Sequence, residues 1–431
     1  MVRAATRRSP KAKPGEGEVL AALDIGGSKV TCLIGLADPS QPAGFSLKGG
    51  GKQQSRGFSS GAVTDLGRLE RAVRLAVEEA ERQARRRIGS VRLGITGPHV
   101  KSHLAMASLA PLGREINARD TRRVQAKAMA SLDVQDEEVL SVYPVAYRVD
   151  GLEGVREPEG MVAKRLGVLL HVVTAPATLV ANLISVVGRA HLKVDRFVPS
   201  AIASGFGALI GDEVENGAIC IDMGADVTAL CVFINRAPAL LSLVPAGGGH
   251  VTGDLAQGLG TTFAAAERMK TVFGHADLTA PGLAERIECP RLGDDGRLNA
   301  KRMARGRLAE IIAPRIEEVF ELIRREIDAS ALANVLPRRV VLTGGASQLA
   351  GVREVAQCTL GVPVRLGRPV HAEILGETLA SPGFSTAAGL LTSSLWSSSN
   401  AAWLGARSSR SDASGTEGTL NKTWAWLREN F

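Results

Sequence analysis

Apolar residues in the first part of the chain form two short unbroken runs and one longer helical repeat. The runs at residues 19–23 and 30–34 predict two buried strands joined by a turn at 24–29. From 65 to 88 the apolar positions recur every three or four residues, with Arg and Glu between them. This spacing predicts a surface helix packed on a sheet, as in an α/β protein.

The next segment, residues 89–165, has a different pattern. Strand-like apolar runs at 91–96 and 139–149 flank a polar helical stretch near 119–132. We interpret this segment as an inserted α+β subdomain. Alternating strand and helix patterns return from residue 166 onward.

A second strand–turn–strand unit repeats the first one. An apolar run at 218–221 precedes a turn at 222–227 and a β-rich run at 228–234. The repetition predicts a duplicated α/β domain. Residues 308–327 then have a strong helical period, and Pro314 within them predicts a kink or a helix start.

Both ends of the chain differ from this body. Residues 1–17 are basic and lack an apolar period, so we expect a disordered tail, whereas residues 392–419 have the Ser, Gly and Ala content of a flexible linker. On a helical wheel, residues 420–431 form an apolar face about 60° wide. The residues of this segment expected on or beside that face are Leu420, Lys422, Trp424, Leu427, Arg428 and Phe431. A helix docked on its own domain has this pattern, but the Trp side chains favour a membrane surface.

The net charge of +8 would suit a nucleic-acid-binding protein, but its distribution does not. Five Lys or Arg residues precede the first acidic residue, so much of the excess lies in the N-terminal tail. A solvated tail is the simplest interpretation, although a tail beside an anionic membrane or RNA has the same pattern. We expect no nucleic acid among the partners.

Cysteine usage and hydropathy predict the compartment. The five Cys are far apart, mostly within apolar runs, and never in CxxC spacing, which is typical of core residues in a reducing compartment. The pattern contains neither a signal peptide nor an unbroken apolar stretch of about 20 residues. These features predict a cytoplasmic protein.

Three glycine-containing turns, each after a buried strand, carry the candidate chemistry. In the turn at 24–29, small residues let backbone N–H groups approach phosphate oxygens, while Ser28 and Lys29 add a hydroxyl and a charge. Asp24 is placed to hold Mg²⁺ through water. The turn at 222–224 repeats this arrangement, and the Gly pair at 344–345 would let a flat ring lie on the backbone.

In this order the turns resemble the two phosphate loops and the adenosine loop of the actin, sugar kinase and heat-shock chaperone ATPases. Within that superfamily, the resemblance to the FtsA family of bacterial cell division proteins extends from about residue 19 to 431. The matching stretches are Ser55-Arg56-Gly57 and residues 61–66, 95–99, 188–195, 251–256, 342–346 and 385–391.

The resemblance implies an α/β, actin-like (ribonuclease H-like) duplicated fold of two lobes, with an inserted α+β subdomain and a C-terminal amphipathic helix. The implied segments are a disordered basic tail (1–17), lobe I in two parts (18–88 and 166–203), the inserted subdomain (89–165), lobe II (204–391), a flexible linker (392–419) and a membrane-targeting helix (420–431).

The resemblance also implies that ATP and Mg²⁺ bind between the two lobes. The residues expected at this site are Asp24, Gly26, Gly27, Ser28, Lys29, Asp222, Gly224, Gly247, Gly248, Glu267, Lys270, Gly344, Gly345 and Ser347. Among them, Asp24 and Asp222 would hold Mg²⁺ through water. Glu267 and Lys270 would reach the ribose and adenine.

One stretch departs from the family pattern. The second phosphate loop of the family has the sequence D-x-G-G-G-T-T, whereas this chain has Ala225, Asp226 and Val227 after Gly224. A like charge at about 4 Å from a phosphate costs on the order of 4 kcal/mol at an effective dielectric of about 20. We therefore expect weak ATP binding and at most weak ATP hydrolysis.

The resemblance implies four kinds of partner: copies of the same chain in filaments, the tubulin-like division protein FtsZ, membrane lipid through the C-terminal helix, and other division proteins through residues 89–165. The expected location is the cytoplasmic face of the inner membrane at the division site. Two alternatives are a kinase or phosphatase of the same superfamily, for which no catalytic Asp motif stands out, and a pilus-associated actin-like adaptor, which would not normally end in a Trp-bearing helix.

Overall fold

The computed structural model describes residues 18–41, 43–293 and 297–393. The basic tail, nearly all of the predicted linker and the amphipathic segment 420–431 lie outside these residues. The four Trp, all beyond position 395, lie outside them as well.

The secondary structure of the described part alternates strands and helices. The strands are β1 (Val19–Ile25), β2 (Lys29–Ala37), β3 (Phe45–Gln54), β4 (Phe58–Ser59), β5 (Ala62–Val63), β6 (Ser90–Ile95), β7 (Lys101–Leu109), β8 (Arg114–Glu115), β9 (Glu137–Val149), β10 (Leu152–Val155), β11 (Val162–Ala163), β12 (Leu166–Pro176), β13 (Lys193–Pro199), β14 (Ala218–Met223), β15 (Thr228–Ile234), β16 (Ala237–Val244), β17 (Arg286–Leu292), β18 (Leu298–Ala304), β19 (Val340–Thr343) and β20 (Val364–Leu366). The helices are α1 (Leu66–Ala84), α2 (Ala118–Met129), α3 (Ala177–Arg189), α4 (Ser200–Ala208), α5 (Gly211–Asn216), α6 (Gly248–Leu259), α7 (Phe263–Phe273), α8 (Gly306–Asp328), α9 (Val352–Leu360), α10 (Ala372–Leu375) and α11 (Ser385–Thr392). Among these described helices, none is long and apolar enough to cross a membrane.

The two large sheets have the same strand order. In lobe I the order is β13-β6-β1-β2-β3, and in lobe II it is β20-β19-β14-β15-β16. In each sheet the first two strands along the chain pair antiparallel, while the first strand pairs parallel with a later one, β6 or β19. The duplication predicted from the repeated strand–turn–strand units is therefore confirmed.

Helix α1 covers the lobe I sheet as the apolar spacing predicts. Its buried face includes Leu69, Val73 and Ala80, and the Asp65 side chain caps its first turn by accepting a hydrogen bond from the backbone of Arg68. The helix lies close to β3 because Gly51 has no side chain. A β-carbon there would lie 2.9 Å from the carbonyl carbon of Ala76 in α1.

The boundaries of the inserted subdomain differ from residues 89–165, which the apolar pattern predicts. Its sheet has the order β10-β9-β12-β7, with α2 packed on it. The run at 91–96, assigned to the insertion, forms β6 and pairs with β1 and β13 of lobe I. The run at 166–173, assigned to lobe I, belongs to β12 and pairs with β7 and β9. Apolar periodicity identifies a strand but not the sheet that it joins, which explains both differences.

Pro314 does not start a helix. Helix α8 continues through it without interruption from Gly306 to Asp328. Pro removes only one backbone donor, and the buried face of the helix, which includes Leu308, Ile316 and Phe320, keeps the surrounding turns in place.

Helices α4 and α11 each pack on the lobe opposite to the one that precedes them along the chain. Helix α4 follows the last strand of lobe I yet packs against β14 and β15 of lobe II, whereas α11 follows lobe II yet packs against β1, β2 and β6 of lobe I. The two helices also pack on each other at Gly207 and Gly389. A β-carbon at 389 would lie 2.6 Å from the carbonyl carbon of Ala203, and one at 207 would lie 2.9 Å from that of Ser385.

This contact generates a stability prediction. We expect Gly389→Ala to lower the free energy of unfolding by about 2–3 kcal/mol, because the added methyl forces α4 and α11 apart. Urea unfolding measures the change. The control is Gly188→Ala in α3, where a β-carbon meets nothing within 4 Å. There the better helix propensity of Ala should raise stability by about 0.5–1 kcal/mol. A neutral Gly389→Ala would contradict the tight crossing.

Candidate functional site

The two predicted phosphate turns have the same geometry and lie next to each other. In the first, the Gly26 N–H donates to the Lys29 carbonyl at 3.0 Å; in the second, the Gly224 N–H donates to the Val227 carbonyl at 3.0 Å. A β-carbon on Gly27 would lie 2.5 Å from the carboxyl carbon of Asp226 in the other turn. The fold thus brings together residues from the two halves of the sequence, in a region that we call the cleft (turns 24–29 and 222–227).

Two carboxylates lie at the base of the cleft. Burial raises the pKa of Asp24 to about 7, with Lys29 acting against this shift and Asp222 adding to it. Burial also raises the pKa of Asp222, although Thr386 donates a hydrogen bond to its Oδ2 at 2.9 Å. Neighbouring carboxylates that are costly to ionise fit a divalent cation, which would compensate both charges.

The donor set suits a cation that keeps other ligands. Within the described ranges, no group of three or more His, Cys, Asp or Glu residues could hold a metal. Mg²⁺ usually keeps several waters and binds through one or two carboxylates together with phosphate oxygens. Asp24 and Asp222 therefore fit Mg²⁺ carried by a phosphate ligand and do not form a self-sufficient metal site.

Positive charge lies on the lobe I side of the cleft. The Lys29 Nζ is 4.1 Å from the centre of the Phe384 ring, and the Lys52 Nζ is 5.7 Å from it. Burial lowers the pKa of Lys29, while Asp24 acts against this shift. The ring attracts the ammonium group and so orients Lys29, whereas Ser28 beside it is exposed.

Asp226 joins the two lobes. Its Oδ2 accepts a hydrogen bond from the backbone N–H of Ser60, between β4 and β5 of lobe I, at 2.8 Å. The same carboxylate packs against the bare α-carbon of Gly27. The side chain therefore fills the gap between the two turns.

The N-terminus of α6 holds the second turn. The Gly248 N–H donates to the Gly224 carbonyl at 3.0 Å, and the Gly249 N–H donates to the Ala225 carbonyl at 2.7 Å. A β-carbon at Gly247 would lie 2.6 Å from the Gly224 oxygen, so this packing requires glycine. The first N–H groups of the helix thus bind the turn, and the contact of Gly247 and Gly248 with phosphate or ribose stays a prediction.

Glu267 and Lys270 pair with each other behind this helix start. The Lys270 Nζ donates to the Gly248 carbonyl at 2.8 Å, to Thr252 Oγ1 at 2.8 Å and to Glu267 Oε2 at 2.7 Å. An ammonium group has three N–H donors, so all three are used inside the protein. Contact of Glu267 and Lys270 with ribose or adenine stays a prediction, and for Lys270 a hydrogen bond to either would require exchange of one of these bonds.

In the predicted adenosine turn, the space beside Gly344 is filled by neighbouring atoms, whereas the space beside Gly345 is open. Gly344 has a φ of 90°, and a β-carbon there would lie 2.5 Å from the Met223 carbonyl oxygen, so only glycine fits. Ser347 is buried, and its hydroxyl donates to the Gly344 carbonyl at 2.8 Å. A β-carbon on Gly345 would meet nothing within 4 Å, which leaves room for a flat ring.

Three residues that contact side chains of the cleft were not predicted from the sequence. The Thr386 hydroxyl donates a hydrogen bond to Asp222, and the Phe384 ring contacts the Lys29 ammonium group. The Ser60 backbone N–H donates a hydrogen bond to Asp226. Thr386 lies in the family-like stretch 385–391, which is the only signal that could have identified it. Phe384 belongs to no motif, and Ser60 contributes a backbone N–H that any residue type provides.

Two family models match parts of this chain. Residues 219–389 match the family model described as "Cell division protein FtsA", and residues 97–174 match the "SHS2 domain inserted in FTSA". The second match coincides closely with the segment from β7 to β12. Among solved structures, a PilM–PilN type IV pilus biogenesis complex has a TM-score of 0.61 at 17% identity, covering 86% of this chain and 97% of that one. MreB5 of Spiroplasma citri bound to ADP has a TM-score of 0.51 at 9% identity, covering 88% and 98%. These two structures establish the actin-like fold.

Relatives of closer sequence establish the family. The chain is 39% identical to cell division protein FtsA of Agrobacterium fabrum over 393 residues, 89% of each chain. It is 33% identical to that of Pseudomonas aeruginosa over 416 residues, 96% of this chain and 99% of the relative. It is 32% identical to that of Escherichia coli K12 over 387 residues, 88% and 91%. With this identity over nearly its whole length, and with the inserted domain in place, the chain belongs to the FtsA family of cell division proteins.

Proposed function

We propose that this chain binds ATP with Mg²⁺ between its lobes, assembles into filaments, and tethers the tubulin-like FtsZ ring to the inner face of the cytoplasmic membrane. The observation that carries the nucleotide part is the convergence of two matching turns, with Asp24 and Asp222 at their base, on one cleft. Membership of the FtsA family supports the role in division.

The described residues divide the work of binding a nucleotide. Gly26, Gly27, Ser28 and Lys29 would face the phosphates, because the turn exposes a hydroxyl and holds an ammonium group beside the cleft. Asp24 and Asp222 would take Mg²⁺, which would compensate the charge of both carboxylates. Gly345 would support the adenine ring, with Gly344 and Ser347 holding its turn in shape.

Hydrolysis is expected to be weak at most. Asp226 puts a carboxylate between the two turns, where the phosphates would lie. A phosphate close to that carboxylate pays a like-charge penalty unless Mg²⁺ or Lys29 screens it. We therefore propose that the chain serves as a nucleotide-dependent scaffold more than as an enzyme.

The partners and the location are proposed from the family and the sequence. Self-association, FtsZ binding and contacts with other division proteins follow from family membership. The inserted subdomain exposes the large apolar side chains Met106, Leu152 and Val162, which suits a contact surface for division proteins. The C-terminal segment 420–431 would attach the chain to the cytoplasmic face of the inner membrane.

The proposed function generates two predictions, and the first of them concerns Asp24. The pKa of Asp24 is higher in the folded chain than in the unfolded chain, so its protonation favours folding at low pH. This contribution to stability is complete below the ordinary carboxyl pKa and is lost as the pH rises towards 7. We therefore expect Asp24→Asn to stabilise the nucleotide-free protein against urea at pH 8 by on the order of 1–3 kcal/mol, and by less at pH 5. The same variant should lose the stabilisation that Mg²⁺ and ATP confer on the natural protein, about 2.7 kcal/mol at a hundredfold excess over Kd.

The exposed Asp133, in the inserted subdomain, provides the matched control. Asp133→Asn should change stability by less than about 0.5 kcal/mol at either pH and keep the response to nucleotide. An Asp24→Asn protein that is less stable than the natural one at pH 8, or that still responds to Mg²⁺ and ATP, would argue against this assignment.

The second prediction concerns the C-terminal segment. We expect deletion of residues 420–431 to abolish co-sedimentation with vesicles containing anionic lipid while leaving the fold intact. Leu427→Gln should weaken binding because Leu427 lies on the predicted apolar face. Ala425→Gln, outside that face, is the control and should bind as the natural chain does. Undiminished sedimentation of the deletion variant would remove the anchor from the proposal.

A further inference from the structure

The position of Asp226 in its turn is informative. Because Gly26 and Lys29 close the first turn as Gly224 and Val227 close the second, Asp226 is the counterpart of Ser28. Ser28 is exposed and belongs to lobe I, whereas Asp226 is half-buried and reaches from lobe II into lobe I. The two turns share a backbone shape but present opposite chemistry to the cleft.

The surroundings of this carboxylate are those that a phosphate group would use. A backbone N–H, that of Ser60, points at Oδ2 from 2.8 Å, and Gly27 offers a surface without a side chain. Oδ1 lies 2.9 Å from where a β-carbon of Gly27 would be and 3.7 Å from where one of Gly249, in the first turn of α6, would be. Backbone N–H groups and bare glycines are general features of anion sites.

We propose that the Asp226 carboxylate is an internal substitute for a phosphate: it bridges the lobes in the nucleotide-free protein and must move aside when the terminal phosphate of a nucleotide enters. This inference rests on the proposed nucleotide site and extends it. The side chain is therefore a latch as well as a source of repulsion. Both effects disfavour a triphosphate more than a diphosphate, since the extra phosphate brings the charge closest to the carboxylate.

The Asp226 side chain competes with the phosphate of a nucleotide for the same position in the cleft. The hydrogen bond from the Ser60 N–H to Asp226 joins lobe I to the second turn of lobe II. With nucleotide, that N–H and the space at Gly27 become available to the phosphate only after Asp226 leaves. The apparent affinity for a triphosphate is then reduced by the fraction of molecules in which the latch is closed.

The test uses the full-length chain with two spin labels, one on each lobe. Cys358 in α9 is exposed, whereas the other four Cys are buried, so it accepts one label. Arg71→Cys on the exposed face of α1 accepts the other. Distances are compared, without nucleotide, for the natural Asp226, Asp226→Ala, Asp226→Asn and the control Asp133→Asn.

We expect Asp226→Ala to shift the distribution of distances between lobes to longer and broader values, while Asp133→Asn leaves it unchanged. Asp226→Asn keeps an oxygen acceptor and should give a smaller shift. If Asp226→Ala has the same distribution as the natural protein, the latch is overturned whatever the affinities are.

Binding of fluorescent ATP and ADP analogues with Mg²⁺ separates the two proposals. We expect Asp226→Asn to tighten ATP binding about tenfold or more and ADP binding by less than about threefold, because a neutral amide removes the like charge. If the lobes separate in Asp226→Ala but no variant binds either nucleotide, the latch holds and the proposed nucleotide site fails. Equal gains for both nucleotides would overturn the claim that the terminal phosphate displaces Asp226.

Discussion

The close crossing of α4 and α11 is the contact on which the rest of the structure depends. Each helix leaves one lobe and packs on the other, and the two can touch only because Gly207 and Gly389 lack side chains. Phe206 of α4 also packs edge-on against Phe233 of lobe II, with ring centres 5.7 Å apart. This junction determines how the two sheets face each other, and hence that the turns following β1 and β14 meet.

Once the turns meet, the protein carries a stability cost at their base. Asp24 and Asp222 sit where ionisation is unfavourable, and burial is the largest cause in both cases. A core optimised for stability alone would have apolar or amide side chains there. That two carboxylates stand at equivalent positions of a duplicated fold argues that the cost is retained for a charged ligand.

Sequence reasoning recovered what depends on local pattern. The repeated strand–turn–strand units, the helix on lobe I and the glycine turns follow from periodicity and turn chemistry, which act over a few residues. It did not recover what depends on partners distant in sequence. β6 and β12 joined other sheets than predicted, Pro314 lies inside a helix and does not start one, and Ser60 acts through its backbone, which leaves no mark in the sequence.

Asp226 illustrates how structure changes the meaning of a sequence departure. From the sequence alone, a carboxylate in place of glycine in a phosphate turn is an unscreened charge. In the folded chain it accepts a hydrogen bond from the Ser60 N–H and covers Gly27, so its charge is partly compensated. The hairpin that carries Ser60 also packs through Gly61 on Thr96 and Gly97, at the entry to the inserted subdomain, where a β-carbon at 61 would lie 2.8 Å from the Thr96 oxygen. The Asp226 side chain thus contacts a segment that touches both the cleft and the base of the insertion.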